Sequence, residues 1–384
     1  MKTKSRPALL ATLSLLLIII ITAAVPASAT GNIVKSDLTG TWRMELRGNT
    51  GCGFVTMWVI AQITSGGSGD ALLETHGQCG DSTLKFQTFT VKSLTAKGTG
   101  TATLSCGSGC GWLFNIQVAP DRSKFNLVDI SDPGNYLEGV AVLSSPAGLV
   151  TTPDMTGVWQ LMLLGQTGCG LGTTVATFTM STSGVASGIL ETSHSAGCGD
   201  AVSHTNTFTI NSMNADGSGE AGLSCGPGCG FALAFQVSPD RSTFNLVDIS
   251  DVGNFLSGVA IRTLSVGDIA RANFSGAWQL ALYGQTSCGN GATLVNFKMN
   301  TKGVATAATE KNHTSSCGDT TSAGNTFTLQ ASNGDGSGTA TLTCGTGCTY
   351  NLNYQLSPDR STFSIVDVSP SDPGKFLVGK AIHQ

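Results

Sequence analysis

The feature that most constrains the fold of this chain is a sequence module that occurs three times. Each copy carries the motif Cys-Gly-x-Gly-Cys, which starts at Cys106, Cys225 and Cys344. The motif Pro-Asp-Arg-Ser follows in every copy. The period is longer than that of solenoid repeats, so we expect tandem domains that each have their own core. The predicted domains span 37–145, 154–264 and 273–384 of the 384 residues.

The N-terminus has the layout of a secretory signal peptide. Lys2, Lys4 and Arg6 precede an apolar run from Ala8 to Val25, and Ala27-Ser28-Ala29 then offers a small-residue cleavage site. We expect cleavage after Ala29, so that 1–29 is the leader and the mature chain carries no membrane span. An uncleaved N-terminal anchor is the alternative.

The amino-acid composition limits which classes of partner the chain can bind and which cellular compartment it suits. Only 11% of the residues are charged and the formal net charge is -4, so there is no basic patch for nucleic acid or an anionic membrane. Four of the 12 cysteines fall in each copy, which suits an oxidising compartment. We therefore expect a bacterial protein that is secreted or periplasmic.

Each copy contains eight strand-like runs separated by short, Gly-rich turns. Alternation is clear in the last copy, where Tyr350, Leu352, Tyr354 and Leu356 share one face of a strand. Short connections favour an antiparallel meander, and eight meandering strands remove their exposed edges by closing. The predicted fold class is all-β, with three tandem eight-stranded up-and-down barrels; meander sandwiches are the alternative.

The entry to the first strand resembles a known group of barrels. Leu38-Thr39-Gly40-Thr41-Trp42 places Gly-x-Trp at the start of an eight-stranded meander, which is similar to the calycins, meaning lipocalins and avidins, and especially to the avidin opening. The resemblance implies a barrel. The later lipocalin motifs and the biotin-holding residues of avidins are absent from the sequence.

A meander gathers all the cysteines of a copy at one rim, because alternate loops lie at the same end. The rim cysteines are Cys52, Cys79, Cys106 and Cys110 in copy one, Cys169, Cys198, Cys225 and Cys229 in copy two, and Cys288, Cys317, Cys344 and Cys348 in copy three. We favour pairing the first two and the last two of each copy; cross-bracing pairs remain open. A four-thiolate zinc site is the functional alternative, but the spacings lack paired Cys-x-x-Cys.

Ionisable residues collect at the same rim and form the candidate ligand-binding site. They are Glu74, His76, Asp81 and Asp129 in copy one, Glu191, His194, Asp200 and Asp248 in copy two, and Glu310, His313, Asp319 and Asp367 in copy three. The last residue of each set shares strand parity with apolar residues and is expected to point into the mouth. The competing interpretation makes these Asp residues turn caps, and Glu and His solvated loop residues.

The pattern favours binding over catalysis. There is no nucleophile elbow, phosphate loop or His-Glu-x-x-His motif, and we predict no enzyme activity, no cofactor and no metal. The leading hypothesis is an exported binding protein whose three rims engage a small ligand or an extracellular surface polymer. The alternatives are a structural or adhesive envelope or matrix protein, and a hydrolase that uses rim Glu and His.

Overall fold

The computed structural model describes residues 31–107, 111–129, 134–146, 148–226, 229–249, 253–265, 267–344, 349–368 and 374–384. The predicted signal peptide lies outside the described residues. Among those that are described, no helix has the length and apolarity needed to cross a membrane.

Three closed eight-stranded barrels follow one another along the chain, which confirms the predicted fold class. Barrel 1 consists of β1 (Gly40–Thr50), β2 (Gly53–Ile63), β3 (Ser68–Gly77), β4 (Ser82–Leu94), β5 (Thr99–Ser105), β6 (Gly111–Val118), β7 (Lys124–Asp129) and β8 (Tyr136–Leu143). Every neighbour pair is antiparallel, and β8 closes the barrel by pairing with β1.

The other two barrels repeat this topology. Barrel 2 consists of β9 (Gly157–Thr167), β10 (Gly170–Met180), β11 (Val185–Ser195), β12 (Gly199–Met213), β13 (Ser218–Gly226), β14 (Cys229–Val237), β15 (Thr243–Asp248) and β16 (Phe255–Arg262). Barrel 3 consists of β17 (Gly276–Thr286), β18 (Gly289–Met299), β19 (Val304–Thr314), β20 (Gly318–Ser332), β21 (Ser337–Thr343), β22 (Thr349–Leu356), β23 (Thr362–Asp367) and β24 (Phe376–His383).

A one-turn 3-10 helix closes the end of each barrel at which its first strand begins. These helices are Lys35–Leu38, Thr152–Met155 and Arg271–Phe274. In barrel 1 the indole Nε1 of Trp42 donates a hydrogen bond of 2.7 Å to the carbonyl of Leu38, and both residues are fully buried. The same bond joins Trp159 to Met155 and Trp278 to Phe274. The opposite end, where the disulfides lie, is called the mouth.

The three barrels pack side by side in a closed ring. The first two strands of each barrel contact the last two of another: β1 and β2 meet β15 and β16, β9 and β10 meet β23 and β24, and β17 and β18 meet β7 and β8. Each barrel has its own apolar core. The seams add a shared one, in which Met162, Tyr283 and Phe376 point outward from their own barrels yet are buried.

Charged side chains are also enclosed between the barrels. The guanidinium of Arg47 lies 2.8 Å from a carboxylate oxygen of Glu45 and 2.8 Å from one of Glu138. Burial raises the pKa of Glu138 to about 8, against the attraction of Arg47. Lys380 reaches the same interior from barrel 3, and burial lowers the pKa of its ammonium to about 7.

The Pro-Asp-Arg-Ser turns meet at the centre of the ring, at the end away from the mouths. Carboxylate oxygens of Asp121, Asp240 and Asp359 lie within 4.8 Å of one another. The fully buried ammonium of Lys124 lies among them, 2.9 Å from Asp240 and 3.2 Å from Asp359. Burial by itself would lower the pKa of this lysine, but the three carboxylates raise it above its ordinary value.

Candidate functional site: the mouths of barrels 2 and 3

The disulfides define one rim on each barrel. Cys52 pairs with Cys79, Cys169 with Cys198, and Cys288 with Cys317, with Cα atoms 5.2–5.3 Å apart. These pairings confirm half of the predicted set, and they consume the thiols that the zinc alternative would need. Cys106, Cys225 and Cys344 are disulfide-bonded too. The predicted pairings Cys106–Cys110, Cys225–Cys229 and Cys344–Cys348 involve side chains outside the described part of the chain.

The predicted rim glutamates divide between the two faces of the barrel wall. Cross-strand partners share a face, so pairing shows which way a side chain points. Glu191 pairs with Ala176 and Glu310 pairs with Val295, on the inner face. Glu74 instead lies opposite Trp58, on the outer face.

In barrel 1 the inner position belongs to the residue before that glutamate. Leu73 pairs with Val59 on one side and with Leu84 on the other. The corresponding pairs are Glu191 with Ser203 in barrel 2 and Glu310 with Ser322 in barrel 3. An apolar pair in one barrel is thus an acid–hydroxyl pair in the other two.

A second inner position follows the same division. Met57 pairs with Leu46 in barrel 1, and the equivalent residues are Thr174 opposite Leu163 and Thr293 opposite Leu282. Met57, with 2% of its surface exposed, belongs to the core of barrel 1. The long side chain fills space that threonine leaves open.

Cavities open at the mouths of barrels 2 and 3. The one in barrel 2 has a volume of about 430 Å³, and its walls include Leu163, Thr174, Glu191, Phe231 and Leu256. The one in barrel 3 has a volume of about 250 Å³. Its walls include the equivalent residues Leu282, Thr293, Glu310, Tyr350 and Leu377. Each cavity therefore combines apolar walls with one carboxylate.

Amide side chains hold these carboxylates in place. Asn206 donates a hydrogen bond from Nδ2 to Oε2 of Glu191, and Asn325 donates one of 2.6 Å to Oε2 of Glu310. Burial raises the pKa of both glutamates, and the amide hydrogen bonds oppose that rise. A carboxylate in such a place stabilises a ligand that offers positive charge or hydrogen-bond donors.

The predicted histidines lie on the outer wall, where neighbouring barrels meet. The ring of His194 packs on Phe376 of barrel 3 and that of His313 packs on Tyr136 of barrel 1, with centroids 4.9 and 4.7 Å apart. Each predicted histidine is also joined to the predicted aspartate of its own rim: His76 Nδ1 lies 3.1 Å from Asp81, His194 lies 2.5 Å from Asp200, and His313 bonds Asp319. These pairs brace the rim beside the seams.

The predicted strand aspartates face the barrel interior but are sealed within it. Asp129 pairs with Phe114, Asp248 with Leu233 and Asp367 with Leu352, whose side chains belong to the barrel cores. All three aspartates have at most 1% of their surface exposed. They lie among core residues rather than on the cavity walls described above.

The sequence prediction missed the partners that shape the cavities, namely Thr174, Ser203, Asn206 and Phe231 in barrel 2. One signal could have found them. Aligning the copies on their disulfides places polar or small residues in copies two and three where copy one has long apolar side chains. That contrast is visible in the sequence once the strand register is known.

The comparisons with known proteins leave the function open. No family model matches the sequence, and no curated protein matches it. Transferrin binding protein B from Neisseria meningitidis serogroup B is 10% identical with a TM-score of 0.29, over 90% of this chain and 76% of that chain. CghA is 9% identical with a TM-score of 0.22, over 90% of this chain and 88% of that one.

A DUF3598 family protein from Nostoc punctiforme is 8% identical with a TM-score of 0.20, over 61% of this chain and 100% of that one. TM-scores this low do not establish a shared fold.

Proposed function

We propose that this chain is an exported, non-catalytic binding protein that takes a small ligand into the mouths of barrels 2 and 3. One observation carries the proposal: the inner pair Leu73–Leu84 of barrel 1 becomes Glu191–Ser203 and Glu310–Ser322 in the other two barrels. Barrel 1 serves as the filled scaffold with which the two open barrels are compared.

An open mouth lowers the stability of a small barrel. A filled interior stabilises a small barrel through close packing, and an unpaired buried carboxylate destabilises it. At the same inner positions, barrels 2 and 3 replace the apolar side chains of barrel 1, and one of the replacements is a glutamate. Cavities of about 430 and 250 Å³ suit small molecules, which proteins bind in concave apolar sites with few polar groups.

The setting fits export. The disulfides suit an oxidising compartment, and a signal peptide on a bacterial chain would deliver the protein there. A surface polymer would have to enter through one residue or end group to use the same cavities.

The hydrolase alternative draws less support from the geometry. Glu191 faces the cavity from the inner side of the wall. His194 borders the same cavity but lies at odd spacing from Glu191 on the strand, and its ring packs on Phe376 of barrel 3. Acid–base catalysis needs both groups within reach of one substrate atom. The structural or adhesive alternative would be favoured by polymerisation of the mature chain and disfavoured by a soluble monomer that binds ligand.

The test is to fill the cavities of barrels 2 and 3 by introducing the residues that barrel 1 carries at the equivalent positions. A variant carrying T174M, E191L, T293M and E310L copies Met57 and Leu73 into barrels 2 and 3. We expect the oxidised wild type to bind N-phenyl-1-naphthylamine, a neutral fluorescent probe, saturably, and we expect the closed variant to lose that binding.

The matched control is T179M/E220L, which makes the same kinds of change at exposed positions of barrel 2. This control should bind the probe as the wild type does, and circular dichroism should show folded barrels in all three proteins. Equal binding by the closed variant would refute the proposal.

A further inference from the structure

The Glu191 carboxylate in the mouth of barrel 2 is held by an amide rather than by an ion pair with a described residue. The influences on the Glu191 carboxyl are its burial and the amide of Asn206, and no basic side chain among the described residues acts on it. Elsewhere this chain does compensate carboxylates that lie between its barrels, with Arg47 and Lys124. The missing positive charge at Glu191 is therefore a property of this site.

An aromatic ring completes the wall of the same cavity. Phe231 pairs with Leu223 on the inner face, and its equivalent in barrel 3 is Tyr350, which pairs with Leu342. Aromatic faces attract ammonium groups through the ring quadrupole. A carboxylate and an aromatic ring on one cavity are the two groups with which proteins recognise organic cations.

Barrel 3 shows this recognition with a group of its own. The ammonium of Lys375 lies over the ring of Tyr350, 5.4 Å from its centroid. Lys375 directly precedes Phe376, and the residue in the equivalent place before Phe255 is Asn254, which lines the cavity of barrel 2. An ammonium from the chain thus covers the aromatic side of the smaller mouth, whereas barrel 2 has a neutral residue there.

We infer that barrel 2 binds an organic ammonium ion with an apolar body, the ammonium lying beside Glu191 and Phe231. The inference rests on the proposed function and names the class of ligand. Leu163, Leu223 and Leu256 supply the walls for the apolar part. A metal ion fits less well, because hard cations take six or more oxygen ligands and the cavity offers one carboxylate.

Lys375 gives the inference a second consequence. The lysine competes with an external ammonium for Tyr350, so the barrel 3 mouth, which stays open to a neutral ligand, binds an ammonium less tightly than the barrel 2 mouth does. Removing that lysine by K375N copies Asn254 into barrel 3 and should uncover a second site.

The test is calorimetric titration of the oxidised full-length mature chain at neutral pH with octylammonium chloride, n-octanol and sodium octanoate. We expect octylammonium to bind one site, octanol to bind more weakly and octanoate not to bind. E191Q should weaken octylammonium binding by about tenfold or more, the usual size of a lost charged hydrogen bond. E220Q, at an exposed position of barrel 2, should not change it, and K375N should raise the stoichiometry from one to two.

The outcomes separate this inference from the proposed function. Equal binding of octylammonium and octanol, with E191Q without effect, would overturn the ammonium inference while probe loss in the closed variant would still support a binding mouth. If neither the neutral probe nor octylammonium distinguished the closed variant from the wild type, both would be wrong. A K375N protein that keeps a stoichiometry of one would refute the role given to the lysine.

Discussion

The ammonium of Lys124 lies 2.9 Å from a carboxylate oxygen of Asp240, although the two residues belong to different barrels. Asp359 of the third barrel lies 3.2 Å from the same ammonium. Copies two and three carry threonine, Thr243 and Thr362, where copy one has this lysine. One cation, present in only one of the three copies, therefore joins the turns of three barrels.

Replacing this lysine should expose the repulsion between the turns. K124M removes the cation and leaves three partly exposed carboxylates facing one another, so we expect the free energy of unfolding to fall by about 1.5–3 kcal/mol, the range for a lost hydrogen bond to a charged group. The measurement is urea denaturation at neutral pH. K97M, at an exposed lysine, is the control and should stay within about 0.5 kcal/mol of the wild type. Equal stability of K124M and K97M would contradict the account of the turns.

The effect of K124M should depend on pH with a definite sign. Burial tends to raise the pKa of Asp240, but the attraction of Lys124 outweighs it and holds that pKa below its usual range. A depressed carboxyl pKa stabilises the fold above the unfolded value of about 4, and this contribution is lost as the pH falls toward the folded value. The wild type should therefore exceed K124M most at neutral pH. A difference that grew on acidification below about pH 4 would count against the ion pairs.

The ring itself was not predicted, and the reason is visible in the strands. A strand with one solvated face alternates apolar and polar residues, and that pattern was enough to predict the barrels. β15 (Thr243–Asp248) is buried at all six positions, including Asn245, which donates a hydrogen bond of 3.0 Å to Val140 of barrel 1. Polar residues at a seam look like surface residues in the sequence, so a barrel wall that contacts another barrel cannot be told from one that faces water.

Lys380 should make stability rise with alkaline pH. Burial lowers its pKa to about 7, whereas an unfolded lysine titrates near about 10.4. Between these values the folded chain holds fewer protons, so unfolding becomes harder as the pH rises. We expect a gain on the order of 4–5 kcal/mol across that window and its loss in K380M. Chemical denaturation of both proteins at several pH values, with K97M as the control that keeps the rise, decides the matter; parallel curves for wild type and K380M would refute it.

The rim disulfide should stabilise barrel 2 through its unfolded state. Cys169 and Cys198 are 29 residues apart, and closing a loop of that length stabilises by about 3.6 kcal/mol in the chain-entropy view. C169A/C198A should shift the denaturation midpoint downward under oxidising conditions. Under reducing conditions the variant and the wild type should converge. A variant as stable as the oxidised wild type would show that the bridge constrains nothing.

The seams between barrels should be as sensitive as the barrel cores. Met162 points outward from β9 into the shared apolar cluster and is 1% exposed. M162D buries an unpaired carboxylate, and we expect a loss of more than about 3 kcal/mol in urea denaturation. V158D is the control, since Val158 on the same strand is 39% exposed. If both variants matched the wild type, the barrels would not be packed in a ring in solution.

The sequence located the acidic residues of the candidate site at one rim but did not show which way their side chains point. The segments Leu73-Glu74-Thr75 and Leu190-Glu191-Thr192 look equivalent in the sequence. However, Glu74 lies two residues before the histidine of its rim, whereas Glu191 lies three residues before its own. Because successive strand residues alternate faces, this difference of one residue in the spacing means that Glu74 points outward and Glu191 points inward. Composition and motif placed these acids at one rim, but only the strand register shows that Leu73 faces inward in barrel 1 and Glu191 in barrel 2.

The most direct test is a crystal structure of the mature protein with 8-bromooctylammonium, in which anomalous scattering locates the bromine. The account predicts a bromine peak between the apolar walls of the barrel 2 mouth, with the ammonium beside Glu191, and no peak inside barrel 1. A bromine peak inside barrel 1, or an unliganded barrel 2 at saturating ligand, would contradict it.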